Sequence, residues 1–116
     1  MKQQQQNSHE IITFCQLLAV ALKSGRPVPE TLAALGARSG SSRASEWATG
    51  LADKMSQGHP VEEACRELKD FDPVLARLMP LLGNNRLLKV LELYTGFLVN
   101  LERVRESLKT ALFYPA

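Results

Sequence analysis

The sequence is poor in aromatic residues and in histidine, and it lacks long apolar runs. Aromatic residues make up 6% of the chain, and only 2 of its 116 residues are histidine. Strands are enriched in aromatic and β-branched residues, so this scarcity, beside abundant leucine and alanine, favours helices over a β-sandwich. No apolar run approaches the roughly 18 residues of a membrane-spanning helix, so the sequence predicts no such helix.

A strong excess of charge of one sign is also lacking. The chain carries 14 basic and 12 acidic residues, for a formal net charge of +2. This small excess predicts no nucleic-acid-binding surface.

Two cysteines, Cys15 and Cys65, lie in apolar helical patterns with no histidine or cysteine at metal-ligand spacing. We expect two buried, reduced thiols, and a disulfide or a metal role is the alternative.

The first nine residues are polar and rich in glutamine, with no apolar core before a cleavage site, so they do not match a secretory signal peptide. We expect residues 1–8 to form a flexible polar tail. Residues 9–116 are then expected to form one helical domain, because a chain of this length supports a single hydrophobic core.

Glycines, prolines and capping residues divide the chain into six segments, nearly all with helical periodicity. The expected helices cover residues 8–24, 29–38, 43–57 and 61–68, a short fifth helix from residue 73, and 85–114. In the third, Trp47, Leu51 and Met55 recur at four-residue spacing. Pro80 is expected to kink or end the fifth helix early, because proline cannot continue the backbone hydrogen bonds.

The sixth segment is the longest and carries an apolar stripe in steps of three and four residues. Its members are Leu87, Leu91, Tyr94, Leu98, Leu101, Leu108 and Leu112, with Arg105 in the one polar position. We expect the stripe to be buried in its own bundle; use of part of it in self-association is the alternative.

The corner Gly25–Glu30 recurs 33 positions later as Gly58–Glu63. In each copy the glycine ends a helix and a proline, Pro27 or Pro60, prevents its continuation. A glutamate then favours the positive N-terminus of the next helix. The repeat predicts two similar helical hairpins. A solenoid is not expected, because only two copies occur and neither carries an ankyrin or tetratricopeptide signature.

These corners belong to a fixed order of features. The order is Phe14–Leu18, Ser24–Leu32, Gly58–Ala64, Phe71–Pro73, Gly83 and Ala111–Pro115. It resembles the cytoplasmic domain of the F-type platform proteins of bacterial type II secretion and type IV pilus systems. The resemblance covers nearly the whole chain, from about Ile12 to Pro115.

The resemblance implies an all-α, six-helix antiparallel bundle, built from the two hairpins plus a short and a long C-terminal helix. It implies a non-enzymatic scaffold at the cytoplasmic face of the bacterial inner membrane, coupling a cytoplasmic assembly ATPase to pilus or pseudopilus assembly. The implied partners are that ATPase, other inner-membrane platform subunits, and further copies of the chain in a homodimer or higher homo-oligomer. Contact with the membrane would come through segments beyond this chain.

In this family a Tyr-Pro pair marks the transition from the last helix to the first membrane segment, so Tyr114 and Pro115 are expected near the membrane. Positive residues favour the cytoplasmic side, where three are then expected. They are Arg103, Arg105 and Lys109. The alternative is a solvated helix face on which neighbouring glutamates pair with these cations.

One turn departs from the family pattern, which has Gly-Glu-x-Ser-Gly between the fifth and sixth helices. This chain has Gly83-Asn84-Asn85-Arg86, two residues shorter. We still expect a corner at Gly83, because asparagine caps helices and tolerates left-handed geometry. Some relatives bind a divalent ion through acidic residues of the last helix. Gly96 and Val99 stand nearby here, so no metal is expected.

Catalytic patterns are missing as well. His9, His59, Glu92 and the pair Glu62-Glu63 have no partner at a useful spacing. No phosphate-binding loop, nucleophile elbow or zinc spacing occurs. We therefore expect no enzyme activity and no cofactor. The alternative function is a free-standing helical adaptor or regulatory module, although residues 29–38 and 61–68 are too short or too acidic for a good DNA-recognition helix.

Overall fold

The computed structural model of the protein describes residues 2–40 and 42–113, with side chains described for residues 8–40 and 42–112. All regular elements in these residues are helical. They are α1 (Lys2–Lys23), α2 (Val28–Arg38), α3 (Arg43–Ser56), α4 (Val61–Glu67), α5 (Pro73–Leu78), a 3-10 helix (Met79–Leu81) and α6 (Arg86–Phe113). The predicted all-α class and helical bundle are confirmed.

Two helix boundaries are informative. The first helix begins at Lys2 rather than at the predicted Ser8, because lysine and glutamine are good helix formers and no glycine or proline interrupts the stretch. The fifth helix ends at Leu78, and Pro80 lies in the 3-10 helix that follows. The prediction that Pro80 ends this helix early is confirmed.

The core centres on three aromatic rings that meet edge to face. The ring of Phe14 in α1 has its centroid 6.0 Å from that of Trp47 in α3 and 5.3 Å from that of Phe71, which precedes α5. The Trp47 and Phe71 centroids are 5.2 Å apart. Because aromatic rings prefer this arrangement, the trio fixes the relative positions of α1, α3 and the segment leading into α5.

α1 and α6 run antiparallel. Lys23 near the end of α1 lies 3.9 Å from Glu92, whereas Cys15, two turns earlier, lies beside Thr95 further along α6. The chain from the end of α4 to Asp70 passes back along α3, since Glu67 pairs with Lys54 near the end of α3 at 2.6 Å and Asp70 pairs with Arg43 at its start at 2.9 Å.

The apolar stripe of α6 is buried only in its first half. Leu87, Leu91 and Leu98 are buried, but Leu108 and Leu112 are 55% and 71% exposed. The expectation that the whole stripe is buried in the bundle is therefore wrong. The reason is the set of neighbours: α6 packs mainly against α1 and the 3-10 helix rather than against α2 to α5, and this packing leaves Leu108 and Leu112 exposed.

α2 and α3 approach each other closely because glycine occupies the contact point. A Cβ atom at Gly36 would lie 2.9 Å from Thr49 Cγ2, 3.0 Å from Ala48 Cβ and 3.3 Å from the Ser45 carbonyl oxygen. Ser45 Oγ lies within hydrogen-bond distance of two carbonyl oxygens, 2.5 Å from Gly36 O and 2.8 Å from Gly40 O. Since a hydroxyl has a single proton, it donates to one of these carbonyls or is shared between them, and the Ser45 side chain lies between α2 and the loop after it.

We expect Gly36→Ala to destabilise the protein by about 1–3 kcal/mol, because the new methyl forces α2 and α3 apart. The matched control is Gly96→Ala in α6, where a Cβ meets nothing within 4 Å. That variant should gain up to about 1 kcal/mol of helix propensity. Urea unfolding of both variants measures the difference, and equal free energies of unfolding would contradict the close approach.

Candidate functional site

The repeated corners share a left-handed glycine but close with different hydrogen bonds. Gly25 has φ +73° and Gly58 has φ +92°, a conformation that favours glycine. At the second corner the amides of Gly58 and His59 donate to the carbonyls of Met55 (3.0 Å) and Lys54 (3.1 Å). This pair of bonds is a Schellman motif.

The first corner uses a side chain instead. The hydroxyl of Ser24 donates to Ala21 O at 2.7 Å and accepts from the amide of Arg26 at 3.2 Å. In both copies the proline then stands just before the next helix, Pro27 before α2 and Pro60 before α4. The repeat thus preserves the change of chain direction but not the bonds that close it.

The third corner is the shortened turn before α6. Gly83 has φ +93°, and the amide of Asn84 donates to Leu81 O at 2.8 Å. Asn84 Oδ1 accepts from the amide of Arg86 at 2.9 Å. The asparagine thus caps α6, as expected from its side-chain chemistry.

Asp72 ties the start of α5 to α6. Its Oδ2 accepts from the amide of Leu75 at 3.1 Å and from the hydroxyl of Tyr94 at 2.7 Å. Burial and the bond to this carboxylate both raise the pKa of Tyr94, so the phenol stays protonated and keeps donating. The pair Asp72-Pro73 is a local sequence signal for the start of a helix. The bond to Tyr94 could not be predicted in this way, because the two residues are 22 positions apart.

A second carboxylate holds α1 against α3. Glu10 Oε2 accepts from the amide of Ala44 at 2.6 Å, while the Ser42 hydroxyl accepts from the amide of Ser45 at 3.2 Å. Two of the unpaired amides at the start of α3 are thereby satisfied. A negative charge is also favourable at the positive end of the helix. No local sequence signal predicts this contact, because its partners are 34 positions apart.

Both cysteines are free and buried. Burial raises the pKa of the Cys15 thiol to about 11; a hydrogen bond with Thr95 opposes this shift and the Asp72 carboxylate adds to it. Burial, with Glu62 nearby, likewise raises the pKa of the Cys65 thiol to about 11. Since the thiolate is the reactive form, neither side chain is suited to act as a nucleophile near neutral pH.

The basic residues predicted to lie near the membrane are on the last turns of α6. Arg103 and Lys109 are exposed and Arg105 is half-buried. Tyr114 and Pro115 lie outside the described residues. Among the residues that the structure describes, no helix has both the length and the apolar composition needed to cross a bilayer.

The structure does not bring the candidate catalytic residues together. His9, Glu62, Glu63 and Glu92 are exposed, and His59 is half-buried at its corner. Within the described part of the chain, no three His, Cys, Asp or Glu side chains form a group that could hold a metal ion. Several half-buried polar groups, among them the carboxylates of Glu10 and Asp72, instead accept bonds from the amides at helix starts.

Comparison with known protein families identifies the family of the chain. The family model described as type II secretion system (T2SS), protein F, matches residues 14–116. The chain therefore belongs to the type II secretion protein F family. No curated protein and no solved structure gives a significant match.

We expect Tyr94→Phe to lower the free energy of unfolding by about 1–2 kcal/mol, because it removes a hydrogen bond to a carboxylate. Urea unfolding of Tyr94→Phe, Asp72→Asn and the double variant measures the coupling between the two side chains. Strict additivity of the two single losses would show that the 2.7 Å contact contributes nothing.

We expect both thiols to resist alkylation in the folded protein. With a pKa of about 11 instead of 9.0, the thiolate fraction at pH 8 falls roughly 100-fold. Iodoacetamide labelling followed by mass spectrometry, with and without urea, measures the rates. Labelling of the folded chain at the rate of the unfolded chain would contradict the burial of these thiols.

Proposed function

We propose that the chain is a non-enzymatic scaffold domain of an inner-membrane platform protein for type II secretion or type IV pilus biogenesis. The single observation that carries the proposal is the family match over residues 14–116. In this role the domain lies on the cytoplasmic face of the inner membrane and contacts the assembly ATPase and other platform subunits. It also associates with further copies of itself.

Hydrogen bonds between helices connect the parts of the bundle, which suits a domain that transmits force. Glu10 bonds α1 to the start of α3, and Asp72 bonds the start of α5 to Tyr94 in α6. Bonds that link different helices resist sliding of one helix past another. Motion imposed by the ATPase on one surface would therefore reach α6 with little loss.

α6 is the element that would carry this motion toward the membrane. It has 28 residues, equivalent to about 42 Å at 1.5 Å per residue. Arg103, Arg105 and Lys109 lie in its second half, and positive residues favour the cytoplasmic side of a membrane. In this proposal Tyr114 and Pro115 lie at the membrane interface, and a membrane segment follows them.

The use of the polar groups supports a scaffold rather than an enzyme. The carboxylates of Glu10 and Asp72 accept bonds from helix N-termini, and the thiols of Cys15 and Cys65 are held in the protonated form. These two carboxylates are thus engaged in the fold, and these two thiols are in their unreactive form.

We expect deletion of residues 14–113 from the platform protein to abolish assembly of the pilus or pseudopilus, because the link between motor and membrane is lost. ATP hydrolysis by the purified motor should not change. Electron microscopy or a secretion assay measures the first effect, and phosphate release measures the second.

The control is the full-length protein carrying Gly96→Ala, an exposed change in α6 that leaves open space around the new methyl. Immunoblotting must show that the shortened protein reaches the membrane. Normal assembly by cells that contain only the shortened protein would overturn the proposal.

A further inference from the structure

One side of α6 carries a row of exposed apolar side chains, here called the outer stripe: Leu93, Phe97, Val104 and Leu108. These side chains are 66%, 60%, 46% and 55% exposed. Steps of four, seven and four residues return to the same side of a helix with 3.6 residues per turn. The outer stripe thus extends over four turns, and its centre is rotated by roughly 110° about the helix axis from the buried leucines of α6.

Cations border this stripe and carboxylates do not. Arg86, Lys89 and Arg103 are exposed. Successive residues of a helix are rotated by about 100° around its axis. In this projection Arg103 and Arg105 bound a sector of roughly 200° that contains the outer stripe. No aspartate or glutamate of the described length of α6 lies in that sector.

The acidic residues of α6 are all on its other side. They are Glu92, Glu102 and Glu106, and Glu92 lies 3.9 Å from Lys23 of α1. The acids of α6 therefore lie outside the sector that holds the outer stripe. Arg86 and Lys89 lie within that sector and Arg103 at its edge, whereas Lys109 lies on the same side as the acids.

We propose that the outer stripe of α6 binds the surface of an anionic lipid bilayer, with the helix axis parallel to the membrane plane. An interfacial helix of this kind buries its apolar face about 5–10 Å deep and places Lys and Arg among the lipid headgroups. Leu93 and Phe97 enter the acyl boundary, and Lys89 and Arg103 contact lipid phosphates. The proposal rests on the proposed function only in placing the domain at the inner membrane.

Charge complementarity favours a lipid surface over a second copy of α6. Pairing two such stripes would bring together borders that carry Arg86, Lys89, Arg103 and Arg105, with no carboxylate in the arc to compensate. An anionic membrane supplies the missing negative charge along the whole stripe.

The test is co-sedimentation of the 116-residue chain with vesicles of phosphatidylglycerol and phosphatidylcholine in equal parts, and with phosphatidylcholine vesicles alone. We expect binding only to the anionic vesicles, weakened by more than about tenfold when salt rises from about 0.05 to about 0.5 M. Phe97→Glu should reduce binding by at least about tenfold. Its matched control, Val74→Glu, changes an apolar side chain that is 45% exposed on α5 and should bind as the unaltered chain does.

A second pair of variants tests the cations, and the two double variants carry the same net charge as each other. The double variant Lys89→Glu/Arg103→Glu should lose anionic binding, whereas Arg26→Glu/Arg66→Glu, at exposed positions outside α6, should retain most of it. Circular dichroism verifies that each variant is folded.

Three outcomes would overturn the proposal. These are equal binding to both kinds of vesicle, equal loss in the two double variants, and absence of vesicle binding with a dimer in sedimentation equilibrium that Phe97→Glu dissociates. The last result would assign the stripe to a second copy. None of them bears on whether deletion of the domain abolishes assembly, so the proposed function is judged separately.

Discussion

The amides at the start of each helix must find acceptors, and this requirement organises the bundle. A helix leaves its first four N–H groups without partners inside the helix, and a chain divided into short helices has many such ends. Here the acceptors come partly from distant segments. Glu10 serves the start of α3, and Asp72 serves α5 while also accepting from Tyr94 in α6. The same bonds therefore satisfy local ends and fix the tertiary arrangement.

This requirement also separates what the sequence could predict from what it could not. Caps formed within a few residues were readable: Asp72 before Pro73, and Asn84 two residues before Arg86. The bond that the amide of Ala44 donates to Glu10 could not be predicted, since the sequence does not show which glutamate accepts from that amide. The meeting of Phe14, Trp47 and Phe71 was equally hidden, because periodicity shows that a residue faces a core but not which residues it meets there.

The long last helix shows a further limit of periodicity. It has apolar residues on two sides, Leu87, Leu91 and Leu98 on one and Leu93 and Phe97 on the other. Both sets have helical spacing, so the pattern alone does not say which one the bundle covers. The structure shows which side is covered: α6 packs mainly against α1 and the 3-10 helix, and Leu108 and Leu112 in its last turns stay exposed. The prediction of a wholly buried stripe failed because it assumed a neighbour along the full length.

The two corners clarify what the internal repeat preserves. Gly25 and Gly58 both adopt positive φ before a proline, yet one turn is closed by the hydroxyl of Ser24 and the other by a Schellman pair of backbone bonds. Different bonds that give the same reversal indicate that chain direction is the constrained property. Direction is also what the proposed role requires, because the corners set the course of each helix and hence the position of α6 relative to the rest. A platform domain can then vary its surface and its turn chemistry, as at Gly83–Arg86, while the long helix keeps its place.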